Sequence, residues 1–181
     1  VNTKDVPSSN LFTISVGTSL NDQTHFKKFL YNKGSGTDFL GFDNGFRSLK
    51  GGINAVLNPI NNGYDLLNNG LNNDWTVKDR RPLADLSLNM NFSRRWVDSS
   101  GRTLAILGTV NYSNSYKTYL DMDNNLFGAY DMTHDCSNYL RKSIDDQYNH
   151  SVRIGTMLNF TYIPASGNSR YEFKNIFNQL G

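Results

Sequence analysis

Cysteine is nearly absent: Cys136 is the only one in 181 residues, which excludes a disulfide within the chain and leaves only a bridge to some other segment. Long apolar runs are missing too. No stretch approaches the roughly eighteen residues that mark a membrane helix, and the mean hydropathy is -0.53. Charge of one sign is scarce, since 18 Lys and Arg face 16 Asp and Glu and leave a net +2, too little to argue for a nucleic-acid partner. No G-x-S-x-G elbow, H-E-x-x-H pair or phosphate-binding loop occurs, so hydrolase and nucleotide chemistry lack their spacing cues. The expectation is a protein that is not an enzyme and that carries no cofactor. The opening VNTKDVPSSN has neither a basic start nor an apolar core, so it is not a secretory signal, and the chain reads as mature, truncated or internal to something longer.

What is present is alternation. From Arg102 to Leu120, Leu104, Ile106, Val110, Tyr112 and Tyr116 fall on even positions, while Thr103, Thr109, Asn111, Ser113, Ser115 and Lys117 fall on odd ones. A period of two is a β-strand with one apolar and one polar face. Ordinary strands run about five or six residues; this one is long enough to cross a bilayer, which needs about 9 to 11 tilted residues. Segments 82–96 and 147–163 repeat the pattern, with Ala84, Leu86, Leu88, Met90 and Phe92 in the first and Val152, Ile154, Leu158, Phe160 and Tyr162 in the second. Shorter copies lie at 10–18 and 169–179. Within the long strands Asp85, Arg95, Lys117 and Arg153 all keep to the polar parity, as they must if the other face meets lipid, where a cation costs about 2 to 4 kcal/mol at mid-bilayer. Arg94 and Arg102 are the exceptions. They flank a turn, where long basic side chains snorkel to the headgroups beside Trp96.

A soluble β-sandwich or lipocalin-like barrel alternates in the same way, and the connections separate the two readings. The links VDSSG and PASGNS are short and turn-like. Those at 19–81 and 121–148 are long and are expected to be outer loops, because outer-membrane barrels pair tight periplasmic turns with long extracellular loops. The fold class expected is therefore all-β, an antiparallel up-and-down transmembrane β-barrel segment of about five to six strands. Five strands do not close, since the smallest common membrane barrels have about eight, and lipid cannot satisfy an open edge. The chain should be part of a longer wall.

The opening TKDVPSSNLFTISVGT and the following THFKKFLYNKGSGTDFLGFDNGFRSL resemble the barrel entry of TonB-dependent outer-membrane receptors of Bacteroidetes-type bacteria. The residues that match are Phe26, Lys27, Phe29, Leu30, Lys33, Gly34, Asp38, Leu40, Gly41, Phe42, Asp43, Gly45 and Arg47, with departures at Ser35, Phe39 and Asn44. The closing HSVRIGTMLNFTYIPASGNSRYEFKNIFNQLG is similar to that family's fourth and fifth strands. The resemblance implies residues 1–9 as a plug-to-barrel junction and 10–181 as the first part of a barrel of about twenty-two strands. It further implies the outer membrane of a Gram-negative bacterium and import of a scarce nutrient of siderophore, haem, peptide or glycan class. The partners it implies are membrane lipid, the remaining barrel and plug, the TonB protein through segments this chain lacks, and a surface lipoprotein.

Candidate sites follow from that stretch and from the polar parity. Asp38, Phe42, Asp43 and Arg47 combine an aromatic surface with charges and suit a polar solute; alternatively Gly41 and Gly45 make a turn, Phe42 packs and Asp43 caps it. Thr109, Asn111, Ser113, Lys117 and Arg153 are expected to face the lumen. No metal site is expected: Asp121, Asp123 and Asn125 begin like a calcium loop, but Leu126 and Met132 stand where Gly and Glu are needed. His134, Asp135 and Cys136 are too closely spaced for one tetrahedral ion. His25 and His150 read as ordinary strand-end histidines. Asn91, Asn111, Asn149 and Asn159 each head an N-x-S/T triplet at positions that fit the lumenal parity.

Overall fold

The computed structural model describes residues 6–48 and 74–181. The first half of the expected junction and residues 49–73 of the expected long connection 19–81 lie outside the described residues. Strands make up 64% of the described residues, and no α-helix occurs among them. Five strands form one antiparallel sheet in the order β1 (Leu11–Ser19), β4 (Asp85–Val97), β5 (Thr103–Asp131), β6 (Cys136–Ile163), β7 (Tyr171–Leu180). A separate two-stranded ribbon pairs β2 (Phe29–Asn32) with β3 (Val77–Arg80). The main sheet is open, with β1 and β7 at its edges among the described residues.

Register carries the sequence alternation across the sheet. Phe12 faces Phe92, Ile14 faces Met90 and Val16 faces Leu88; Met90 in turn faces Val110, and Ile106 faces Phe160, which faces Phe173. One face of the sheet is thus an apolar belt. From Leu104 to Tyr112 it covers nine residues, eight steps that span about 27 Å along the strand at about 3.4 Å per step. At mid-belt Gly108 has no side chain, and the Phe92 ring lies over it, within 2.2 Å of where a Cβ would stand. Tyr162 stacks on Tyr171 at one rim of the belt, and Arg94 lies over the Trp96 ring, 5.3 Å from its centre. The adjacent β4–β5 turn is tied by Asp98, which accepts from Arg102.

Burial is inverted relative to a water-soluble sheet. The most covered side chains of the polar parity are small, Asn159 at 2% exposure and Thr161 at 1%, whereas Val110 and Phe160 on the opposite face are 40% and 37% exposed; Val152, covered on that apolar face, lies where the insertion between β1 and β4 rests. Apolar residues left open in this way run across five strands, and a contiguous apolar face of this kind is one that water-soluble monomers ordinarily cover.

One expectation needs correction. The segment 121–148 is not an irregular loop, because β5 and β6 run on through it to a tight turn at 132–135, closed by the Asp131–Cys136 pair. Three register shifts, between Tyr119 and Met122, Leu126 and Phe127, and Phe127 and Tyr130, flip parity along the way, and Asp121 takes a positive φ of 55°. Each bulge inserts a residue and reverses which face follows, so the sequence lost its period of two although the backbone stayed paired. Asp121, Asp123 and Asn125 sit on this strand rather than in a calcium-type loop. Within the expected long connection 19–81 lie the β2–β3 ribbon and a 3-10 turn at Asp38–Leu40.

Candidate functional site

The insertion between β1 and β4 folds back onto the sheet as a collar, and its attachment begins where β4 ends its ladder. Beyond the Leu86–Asn114 pair, β5 continues alone on that side. Its exposed donors are met by side chains: Asp85 Oδ1 accepts from the N–H of Tyr116 at 2.9 Å, and Thr24 Oγ1 accepts from the N–H of Thr118 at 2.9 Å. Asp85 also accepts from His25 Nε2 at 2.9 Å and from Ser19 Oγ at 3.1 Å. His25 Nδ1 takes the Asn21 N–H at 2.7 Å, so Nε2 is the nitrogen that donates to Asp85. His25 and Thr24 are buried by this arrangement. Side chains here replace a missing strand.

The ribbon forms the collar's roof. Cross-strand pairing puts Phe29 opposite Arg80 and Tyr31 opposite Lys78, so these four share one face. That face lies over β5 and β6: Phe29 meets Tyr116 and Tyr148 edge-on, both at 5.4 Å, and Tyr116 stacks on His150 at 4.3 Å. The Arg80 guanidinium is held among aromatic faces, 4.7 Å from the Tyr31 centre and 4.9 Å from that of Tyr116. Its Nε is buried and has no partner among the described residues.

Below the ribbon, Gly41 (φ 73°) and Gly45 (φ 94°) turn the chain through conformations that a side chain would strain. The turn sets Phe42 against Phe177, stacked at 6.1 Å, and brings the Phe39 carbonyl to the Tyr112 hydroxyl, which donates at 2.7 Å. Asp43 Oδ2 accepts from the N–H groups of Gly45 and Arg47. Arg47 forks onto Asp38 with two bonds of 2.7 Å and reaches Asp43 at 3.2 Å. The hydrogen bonds from Arg47 hold the Asp38 carboxyl below its ordinary range, and the same bonds raise the guanidinium of Arg47.

Asp38, Phe42, Asp43 and Arg47 are therefore brought together, and all four line a cavity of about 790 Å³ between collar and sheet. The turn, the packing of Phe42 and the capping by Asp43 are all present in its wall. The lumen-assigned set is also brought together, on one face: Ser113 stands opposite both Ser87 and Arg153, Asn111 opposite Asn89 and Gly155, and Lys117 opposite Asn149. Thr109 Oγ1 donates to Asn91 Oδ1 at 2.7 Å. Ser113, Ser115, Lys117, Asn149, Ser151 and Arg153 bound a shallow hollow of about 310 Å³.

The two sets do not meet. Tyr112, Tyr116, His150 and Val152, on which the collar rests, have the parity of the apolar belt, and Phe42 stacks on Phe177, which faces Thr156 on that same side. The collar cavity and the polar hollow lie on opposite faces of the sheet. Sequence reasoning missed Arg80, Lys78 and Tyr148 as collar residues; the alternation of Lys78 and Arg80 in VKDR was the available signal, and it is only four residues long.

In the β5–β6 hairpin, His134 Nδ1 pairs with Asp131 Oδ2 at 2.7 Å, and this hydrogen bond lowers the Asp131 carboxyl. The Tyr130 hydroxyl donates to Asp135, and Cys136 is exposed at the start of β6. Family models, curated proteins and solved structures yield no match to this chain.

Proposed function

We propose that this chain is a section of the wall of an outer-membrane β-barrel of TonB-dependent receptor type, serving import of a scarce nutrient into a Gram-negative bacterium. The observation that carries the reading is the inverted burial: small polar side chains covered on one face, a contiguous apolar belt open on the other. Water penalises that arrangement, and lipid favours it. The open edges at β1 and β7 fit a wall continued by further strands. Short turns at one end of the sheet and the collar and long hairpin at the other match the asymmetry of such barrels. The resemblance around residues 24–49 supplies the receptor type, with the plug, the TonB protein and a surface lipoprotein as its partners.

In this reading Thr109, Asn111, Ser113, Lys117 and Arg153 line the lumen, where a polar solute passes between wall and plug. Asp38, Phe42, Asp43 and Arg47 build the collar. Reading the open frame on both sides of the coding segment tests the proposal. A plug-type domain upstream and about seventeen further strands downstream are expected. A stop directly after Gly181 overturns it, and a barrel without a plug reduces it to a passive pore or surface-binding protein.

A further inference from the structure

We infer that the collar cavity is a seat for the phosphate of an anionic outer-leaflet lipid headgroup, one with no cation of its own to neutralise it, an inference that rests on the barrel reading above. Three independent features converge on it. The first is position: the cavity opens on the same side of the sheet as the apolar belt, and the Phe42–Phe177 stack joins the collar to that belt. Phe39 and Leu40 are exposed beside it, so acyl chains would find apolar contact where the cavity begins. A solute inside the lumen would meet the opposite face.

The second is charge. The cavity is lined by Lys33, Arg47, Lys78 and Arg80 against Asp38 and Asp43, four cations to two carboxylates. Both carboxylates are engaged by Arg47, so the surplus lies with Lys33, Lys78 and Arg80. Asp74, which accepts from the Thr76 N–H and also lies near Lys33 and Lys78, stands outside the lining. The third is the unmet donor. Arg80 is fixed by aromatic faces and by His150, whose Nδ1 accepts from Nη2 at 3.5 Å, with no acid against it, and its buried Nε–H has no acceptor among the described residues. A guanidinium held in this way offers a fork that a phosphate ester's oxygens fill.

The test uses the full-length polypeptide that contains this chain, inserted into vesicles of phosphatidylcholine alone or of phosphatidylcholine with phosphatidylglycerol. Native mass spectrometry of the detergent-released protein reads the lipid retained. Phosphatidylglycerol should be retained in preference, and the double variant Lys33→Ala/Lys78→Ala should weaken that retention about 25-fold, about fivefold for each charge. Arg80→Lys keeps the charge, loses the fork and should weaken retention as well, whereas Lys117→Ala on the polar face should leave it unchanged. Equal retention of the two lipids, or an equal loss in Lys117→Ala, overturns the seat while leaving the barrel standing. Displacement of the lipid by inorganic phosphate at equal concentration also overturns it, in favour of a soluble-anion site. Failure to insert into either vesicle overturns the barrel reading, and the seat with it.

Discussion

The two faces of the sheet use the same backbone ladder and differ only in what their side chains are asked to meet. On one, Asn159, Thr161, Thr103 and Ala105 are small and covered, and polar atoms such as Thr109 Oγ1 and Asn91 Oδ1 find each other across strands. On the other, Val110, Met90, Leu88 and Phe160 stand open, and the one gap at Gly108 is roofed by Phe92. The collar sharpens the contrast. It rests on the apolar side and satisfies the β5 donors with Asp85 and Thr24, so the residues that resembled a solute site are separated from the polar hollow by the thickness of the sheet. Chemical likeness to a binding site is therefore a weaker guide than the face on which the residues stand.

The comparison breaks most severely when a charge is moved from one face to the other. Val110→Arg should cost about 2 to 4 kcal/mol and the adjacent Asn111→Arg close to nothing, read as the shift in urea unfolding of the full-length protein in phospholipid vesicles. Next is the joint between the faces. Asp85→Ala leaves the N–H groups of Tyr116 and His25 without an acceptor and should cost about 2 to 3 kcal/mol in the same titration, with Asp85→Asn retaining part of it.

A smaller effect is expected at the roofed gap. Gly108→Val drives a side chain into the Phe92 ring and should cost about 1 to 3 kcal/mol, and Phe92→Ala in the same chain should recover part of that loss. The smallest belongs to the collar clasp, which is more than a third exposed at Arg47. Arg47→Ala should cost under about 1 kcal/mol. Because Asp38 is held below its ordinary value of 3.8, the clasp contributes fully above that pH and is lost as pH falls through the lowered value. Amide protection across residues 34–47, taken relative to the intrinsic exchange rate at each pH, should fall over that acid range, and Arg47→Ala should abolish the dependence.

Much of the sheet was legible because each strand keeps a strict parity. The pairs Ile14–Met90, Met90–Val110 and Ile106–Phe160 follow from alternation once neighbours are known. The far end of the β5–β6 hairpin was not legible, since bulges after Tyr119 and at Phe127 reverse parity within a few residues, so Leu126, Phe127, Tyr139 and Leu140 keep no single period. In the collar, the turn at Gly41 and Gly45 and the capping by Asp43 were readable from residue type. The face it covers was not, because a connection of sixty residues carries no local mark of direction. Tyr112 and Tyr116 held that information, but an aromatic at the end of an apolar strand looks the same whether it meets headgroups or a folded insertion. Arg80 was invisible for a similar reason: its partners Tyr31 and Tyr116 are 49 and 36 residues away.

The central claim, that one face meets lipid and the other water, is tested most directly by site-directed spin labelling. With Cys136→Ser as background, single labels at Thr109, Val110, Asn111 and Tyr112 in the vesicle-inserted full-length protein report collision with oxygen, enriched in lipid, and with a water-soluble nickel chelate. The expected result is a period of two, with oxygen favoured at Val110 and Tyr112 and nickel at Thr109 and Asn111. Equal access of the nickel chelate to all four positions would contradict it.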